Sequence, residues 1–383
     1  MTRTRRATVA MLLVGLAIFS SLYSTQAILP TLVDNMGLSS TEAAMTVSAA
    51  TGALALCVVP ASILSERFGR GRILLISAVA ATGVGLIVPL TQQGWQLIVV
   101  RGLQGALLSG APATAMAWLS EELDDKALPR AMGLYIAGTS VGGLTGRLIP
   151  TGLVEISTWR WALFGSALVS LAFAITAWLL LPAQRNFRPK SIHLKTESRA
   201  LFGHWANRDL ALLFLTAFLS MGTFVSMYNF LTFRLIDDFG LAPSLAGLAF
   251  LFYLSGTWSS ARAGTLVARI GHGKTLCCSA ALFTVGIAFC AGNLPLTLLG
   301  MIAFTVGFFA VHSTASGWVG QIATHDRAEA SSMYVFCYYF GSSVVGACAG
   351  LLFDALSWPL FIAFFTAVAL ALTALTWTKI KTD

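Results

Sequence analysis

The stretch Ser62-Ile-Leu-Ser-Glu-Arg-Phe-Gly-Arg-Gly-Arg72 stands between two long apolar runs. About two hundred residues later the chain carries a degenerate copy, Gly264-Thr-Leu-Val-Ala-Arg-Ile-Gly-His-Gly-Lys274. The pairs that align with a shift of 202 are Arg67 with Arg269, Gly69 with Gly271, and Arg72 with Lys274. A polar turn that recurs at half the chain length of an apolar protein indicates a duplicated membrane bundle.

The composition supports a membrane protein. Of the 383 residues, 56% are hydrophobic and 10% are charged, whereas a soluble domain carries about 25% charged residues. A soluble core cannot hide so much apolar surface, so lipid must be the solvent for most of the chain. Six cysteines lie in apolar runs without metal-ligand spacing, which predicts small buried hydrophobes and neither a metal site nor a disulfide framework. They are Cys57, Cys277, Cys278, Cys290, Cys337 and Cys348.

The apolar runs predict the fold. A helix needs about 20 apolar residues to cross a bilayer, and the chain offers about twelve such runs. They are Thr8–Val33, Ala43–Leu64, Ile73–Leu90, Trp95–Leu119, Ala131–Pro150, Trp161–Leu181, Leu210–Phe233, Leu245–Ala261, Thr275–Gly292, Leu296–Val319, Ser331–Phe353 and Pro359–Thr378. We predict an all-α membrane protein with a six-helix bundle at 1–181, a cytoplasmic linker at 182–209 and a second six-helix bundle at 210–383. The first run resembles a signal peptide, but its exit at Asp34–Leu38 has a counterpart at Asp237–Leu241, so we expect it to be retained.

Basic residues are distributed asymmetrically between the loops. With twelve crossings and an inner N-terminus, 20 of the 24 Lys and Arg residues fall on the inner side. Arg160 and Arg234 fall in outer loops, and Arg101 and Arg147 lie inside helices. This asymmetry follows the positive-inside rule, so we expect both termini in the cytoplasm of a bacterium and a location in its inner membrane. It also accounts for the net charge of +8 without a nucleic-acid partner.

Motifs for other classes of function are missing from the sequence. No G-x-x-x-x-G-K-[ST] stretch occurs, which argues against an ATP-driven pump in one chain. A membrane-embedded enzyme would need a nucleophile beside a base, and His312-Ser313 is the only nearby pair. Adjacent residues on a helix do not face each other, so we expect no enzyme, and we expect no cofactor.

Three stretches together resemble the major facilitator superfamily along the whole chain. They are the loop Ser62–Arg72 with its echo, Arg101-Gly-Leu-Gln-Gly105 in the fourth run, and Gly133-x8-Gly142-x3-Gly146 in the fifth. Against the family pattern G-x-L-x-D-R-x-G-R, Ser62 replaces the first Gly and Glu66 the Asp, while Ala268 stands at the Asp position of the echo. The runs Leu134–Arg147 and Tyr338–Gly346 resemble bacterial YnfM-like exporters most. The fifth-run motif departs from the exporter pattern, because it continues Gly146-Arg147-Leu-Ile-Pro150.

The resemblance implies an inner-face gate. In this family the acid of the loop faces the start of the eleventh helix, here near Ala330. A carboxylate there would gain ~0.3–1 kcal/mol from the helix dipole. We expect Arg67 to orient Glu66, and Arg70 and Arg72 to pair with lipid phosphate or inner-loop acids. The motif residues of this gate are Glu66, Arg67, Gly69, Arg70, Arg72, Arg269, Gly271 and Lys274. Simple positive-inside charge is the alternative interpretation.

Two arginines inside predicted helices are candidates for substrate binding or coupling. A charge there costs at least ~2.5–3.5 kcal/mol, so it faces protein or a water-filled cavity. No predicted helix carries an acid near its middle, and the possible partners lie at helix ends: Asp34, Glu42 and Glu155. Arg101 has Gln104 one turn on, which favours a functional role. For Arg147, near its helix end, snorkelling to the outer interface is an equal alternative.

Other candidates come from the helices that line the cavity in this family. They are Tyr23, Gln26, Gln104, Tyr228 and Asn229, with His312 as a possible proton carrier. Asp34 and Glu42 are further possible carriers, and a hydrogen-bonded structural role is the alternative for His312. Small residues at four-residue spacing predict close helix packing at the boundary between the halves: Gly138, Gly142, Gly146, Gly346 and Gly350.

The resemblance implies a monomeric secondary transporter working by alternating access. We expect export of a small organic molecule, a drug-like compound or a sugar, driven by inward proton flow. Aromatic groups with few charges suit such a cargo better than a polyanion. Nutrient uptake by a symporter or uniporter of the same fold remains an alternative.

Overall fold

A computed structural model describes residues 2–124, 126–187 and 202–378, and these residues form helices and no strand. The chain divides into two compact units, Met1–Ile192 and His193–Asp383. The division falls inside the predicted linker 182–209. Of that linker, the described residues are 182–187 and 202–209.

The described residues of the first unit form eight α-helices. They are α1 Arg3–Leu22, α2 Leu29–Met36, α3 Ser40–Phe68, α4 Arg70–Gly85, α5 Gly94–Leu108, α6 Gly110–Glu122, α7 Leu128–Val154 and α8 Trp159–Leu180. The first predicted crossing is interrupted: α1 ends at Leu22, and a short 3₁₀ turn at Gln26–Ile28 leads into α2. The fourth is also split, because Ser109 separates α5 from α6.

The second unit contains seven described helices. They are α9 Arg208–Phe233, α10 Pro243–Leu248, α11 Tyr253–Ile270, α12 His272–Phe289, α13 Leu294–Ile322, α14 Arg327–Ala355 and α15 Trp358–Trp377. A π-helical turn at Arg234–Asp238 follows α9, and a 3₁₀ turn at Ala249–Phe252 joins α10 to α11.

The predicted all-α architecture is confirmed, and each of the twelve predicted runs coincides with a helix or a broken pair of helices. Among the described residues, nine helical segments are long and apolar enough to cross a membrane. The other three runs are the fourth, split at Ser109, the fifth, α7, and the eighth, α11. The last two carry pairs of arginines: Arg130 and Arg147 on α7, and Arg262 and Arg269 on α11.

Glycines bring helix backbones together inside each unit. A Cβ placed on Gly138 would lie 2.4 Å from the carbonyl oxygen of Leu12, and one on Gly146 would lie 2.4 Å from that of Ser20. Gly142 meets the same helix, so this stripe of α7 packs against α1. The predicted close packing of this stripe is present inside the first unit. In the second unit Gly341 of α14 meets α9 in the same way, and Gly346 and Gly350 are buried on α14.

The prediction that all six cysteines are buried is wrong for half of them. Cys277, Cys290 and Cys337 are buried, whereas Cys278 and Cys348 are exposed and Cys57 is partly exposed. In a membrane bundle an apolar thiol can face lipid as readily as it faces protein, so hydropathy does not reveal which face it occupies.

Candidate functional site

Arg101 is fully buried in the first unit, and its acceptors are not carboxylates. Its Nε donates to the carbonyl of Thr46 at 3.1 Å. Its Nη1 donates to the carbonyl of Ser21 at 2.8 Å, and its Nη2 to that of Leu22. Ser21 and Leu22 are the last residues of α1, whose carbonyls have no partner within the helix. The guanidinium therefore occupies the negative end of the α1 dipole and joins α5 to α1 and α3.

Gln104 extends this buried network by one helical turn. Its Oε1 accepts a further hydrogen bond from Arg101, and its Nε2 donates to the carbonyl of Ala81 on α4 at 3.1 Å. The expected acidic partners of Arg101, at helix ends, are therefore replaced by backbone and amide oxygens. Carbonyl acceptors disperse the charge without burying a second ion, which avoids a further desolvation cost.

Arg147 is 1% exposed and does not snorkel to the outer interface, so that alternative is wrong. Its Nε donates to Gln26 Oε1 at 2.8 Å, and its Nη1 donates to the carbonyl of Gly143 at 2.6 Å. Its guanidinium carbon lies 4.0 Å from the centroid of the Tyr23 ring. Tyr23 and Gln26 belong to the interrupted stretch after α1. The structure thus brings both intramembrane arginines to the same break in the first crossing.

The acids considered as partners or proton carriers lie at exposed helix ends. Glu42 closes a capping box at the start of α3, where its Oε2 accepts from the Ser39 backbone at 2.9 Å. Asp34 is exposed near the end of α2, and Glu155 is exposed at the end of α7. These positions weaken the case for Asp34 and Glu42 as carriers.

An aromatic cluster forms the centre of the second unit. The rings of Phe224 and Phe308 stack at 3.9 Å, and Tyr228 stacks on Phe250 at 5.1 Å. The Tyr228 hydroxyl lies 2.8 Å from Thr305 Oγ1. Tyr228 and its neighbour Asn229 are both buried. Both residues therefore lie on α9 with their side chains inside the second unit.

The edge of this cluster is half-buried and holds His312. The His312 ring lies 4.6 Å from that of Tyr338, and its Nδ1 is 3.1 Å from the Tyr334 hydroxyl. Tyr253 and Phe309 complete the half-buried edge, with ring centroids 5.8 Å apart. Sequence reasoning missed both, because a single aromatic residue in an apolar run carries no signal of its exposure.

The loop at Gly69 is organised by Arg70, not by Arg67 as expected. Arg70 Nη2 lies 3.4 Å from Glu66 Oε1, and its Nε lies 2.5 Å from Glu121 Oε1 at the end of α6. Arg67 is exposed and sits over the ring of Phe68 at 5.5 Å. The expected pairing of Arg70 with a loop acid is present, and Arg72 is exposed.

The pair Glu121-Glu122 is a junction that the sequence did not reveal. Glu122 Oε2 lies 2.5 Å from Arg3 Nη2, and Glu122 Oε1 accepts from the backbone N–H groups of Arg185 and Asn186 at 2.8 Å. Gln184 Oε1 accepts from the backbone of Gly71 at 3.0 Å. The start of α1, the motif loop and the chain that leaves α8 are therefore joined at one end of the first unit.

The echo in the second unit keeps the turn and lacks the two residues that form the ion pair of the first copy. Gly69 and Gly271 both have positive φ, +102° and +85°, and both separate two helices. Ala268 stands where the first copy has Glu66, and His272 stands where it has Arg70. His272 stacks on Trp318 with centroids 5.1 Å apart. A ring stack thus takes the place of the ion-pair network. Arg269 and Lys274, the remaining cations of the echo, are exposed.

Comparison with known proteins agrees with this architecture. The sequence profile of the Major Facilitator Superfamily matches residues 11–261 and 212–383. The chain is 36% identical to the inner membrane transport protein YnfM of Escherichia coli (strain K12) over 375 residues, covering 95% of this chain and 89% of that protein. It is 28% identical to the multidrug resistance protein MdtG of Proteus mirabilis (strain HI4320) over 307 residues, covering 76% and 73%.

Solved structures share the fold. The nucleoside transporter NupG superposes with a TM-score of 0.76 at 14% sequence identity, covering 98% of this chain and 99% of that one. These matches agree with the repeated glycine turn of the two bundles and with the buried arginine in the fourth crossing. The chain is therefore a multi-pass membrane transporter that belongs to the major facilitator superfamily.

Proposed function

We propose that this transporter exports a small organic molecule, a drug-like compound or a sugar, by alternating access driven by inward proton flow. The observation that carries the choice of cargo is the half-buried edge of Tyr253, Phe309, His312 and Tyr338. Flat rings that include a single histidine suit an amphipathic molecule of low charge. The similarity to MdtG, named for multidrug resistance, supports export.

The direction of transport can be tested in intact cells. Cells that overproduce the protein should accumulate less of an exported dye such as ethidium than cells carrying an empty vector. Collapsing the proton gradient should abolish the difference. Greater accumulation of dye or of a labelled sugar would instead support the uptake alternative.

We assign the coupling proton to His312, because it is the histidine at the aromatic edge and contacts the Tyr334 hydroxyl. Replacing His312 with glutamine should leave cargo exchange between the two sides intact and remove the response of net flux to an imposed pH gradient. Proteoliposomes loaded with cargo would measure both quantities. The matched control is His272→Gln, which removes a histidine outside the aromatic cluster.

A gradient response retained in His312→Gln would place the proton elsewhere. Flux that ignores the gradient already in the unmodified protein would overturn proton coupling and support a uniporter.

We propose further that Glu66 forms an inner-face latch and that the second copy, with Ala268, does not. Glu66→Gln should shift the protein toward inward opening, while Ala268→Asp should leave the balance unchanged. Labelling of single cysteines by a membrane-impermeant maleimide, added from the inner side, would report the shift. Equal effects of the two substitutions would reject an asymmetric latch.

The location and orientation complete the proposal. The basic residues that cluster at one end of the predicted crossings support cytoplasmic termini in the inner membrane of a bacterium. We propose a monomer on the resemblance to the family alone. The Arg3–Glu122 ion pair and the Arg70–Glu121 pair lie at that same end of the first unit.

A further inference from the structure

A groove of about 360 Å³ lies between α11, α12 and α13 of the second unit. Its floor is apolar, and its lining residues include Leu266, Cys278, Leu282, Val306 and Ala310. Leu266 and Leu282 are each 39% exposed, so the floor is open to whatever surrounds this face of the bundle. An apolar cleft on a membrane-spanning surface has room for a hydrocarbon chain.

Two arginines line the same groove, both from α11. Arg262 and Arg269 are seven residues apart, which places them on one face of the helix and about 10.5 Å apart along its axis. Trp258, one turn before Arg262, lies beneath its guanidinium, with the ring centroid 5.2 Å from the guanidinium carbon. Within the described ranges no acidic residue lines the groove and neither arginine has an ion pair.

The first unit has no counterpart of Arg262 or Trp258 at the equivalent positions of its sequence. At a shift of 202, Arg262 corresponds to Pro60 and Trp258 to Leu56 in the first unit. The duplication of the loop therefore accounts for the presence of Arg269, whose counterpart is Arg67. It does not account for the presence of Arg262 or Trp258. The packing of the second unit does not explain them either, because both side chains are exposed.

We propose that this groove binds one phospholipid with an anionic headgroup, its phosphate at Arg262 and Arg269 and an acyl chain along the apolar floor. Guanidinium groups bind phosphate oxygens in pairs and keep their charge in a poorly solvated setting. Arg269 lies two residues before the Gly271 turn, on the side that the basic residues predict to be cytoplasmic, where anionic lipids attract clustered cations. This goes beyond the proposed function, since the lipid is a resident ligand and not the cargo.

The test is a lipid titration of the purified, delipidated full-length protein, read by native mass spectrometry. Phosphatidylglycerol should bind at least about fivefold more tightly than phosphatidylcholine with the same acyl chains. Each of Arg262→Gln and Arg269→Gln should weaken phosphatidylglycerol about fivefold, and the double variant about 25-fold. Cys278→Trp, which fills the floor and keeps both arginines, should weaken both lipids.

The control is Lys126→Gln/Arg130→Gln, which removes two exposed charges from the first unit. It should leave phosphatidylglycerol binding unchanged. An equal loss in this control would assign binding to general surface charge and overturn the site. Equal affinity for the two lipids would overturn the headgroup assignment. The measurement needs no transport, so its failure is separate from failure of the proposed export.

Discussion

Replacing Arg101 with alanine should abolish transport and lower the thermal stability of the purified protein, while the protein still inserts into the membrane. The side chain supplies hydrogen bonds to the carbonyls of Thr46, Ser21 and Leu22. Alanine would leave these buried acceptors without that donor and would break the link between α5 and the interrupted first crossing. We expect a loss of about 2–4 kcal/mol of stability, measured as a fall in melting temperature.

Arg101→Lys is a milder variant, because it keeps the positive charge but replaces the planar guanidinium with a single ammonium nitrogen. It should insert normally and recover stability only in part. Arg160→Ala is a suitable control, because Arg160 also donates to backbone carbonyls, those of Pro89 and Thr91, but is partly exposed. Full transport by Arg101→Ala in proteoliposomes would show that this arginine serves packing alone.

Replacing Gly138 with alanine should destabilise the first unit strongly. The added Cβ would lie 2.4 Å from the carbonyl oxygen of Leu12, a backbone atom that cannot turn aside. The helices α1 and α7 would have to separate, and overpacking of this kind costs about 1–3 kcal/mol or more. We expect a lower melting temperature and reduced yield of folded protein from detergent extracts.

The same helix provides a matched control. Gly133 has no atom within 4 Å of an added Cβ, so Gly133→Ala should be neutral or slightly stabilising because alanine is the better helix former by about 1 kcal/mol. Equal melting temperatures for the two variants would mean that α1 and α7 do not meet at their backbones.

The sequence predicted the helices well, because bilayer thickness sets their length and hydropathy reports it. It could not predict the partners of Arg101 and Arg147. Those partners include backbone carbonyls and the side-chain amides of Gln104 and Gln26. Every residue carries a carbonyl, so the sequence does not show which of them will accept from an arginine. The search for acids therefore led to Asp34, Glu42 and Glu155, which lie at exposed helix ends.

The motif loop shows a second limit of sequence reasoning. The loop was found from its repeat, but the residue that binds Glu66 depends on how the chain turns at Gly69, which directs Arg70 and not Arg67 toward the acid. The partner on α6, Glu121, lies 51 residues from Arg70 and has no motif of its own. Such contacts follow from the packing of α4 against α6, which hydropathy does not encode.

The two turn glycines show what the duplicated loop has preserved. Around Gly69 the side chains form an ion-pair network, and beside Gly271 the ring of His272 stacks on that of Trp318, yet both glycines keep a φ near +90°. Any residue with a Cβ would be strained at either position, whatever surrounds it. The two copies thus share the positive φ of the turn glycine, although the side-chain contacts around it differ. As the two copies diverged, an ion pair could be replaced by an aromatic contact. The positive φ could not be kept so easily with another residue, and both copies have glycine there.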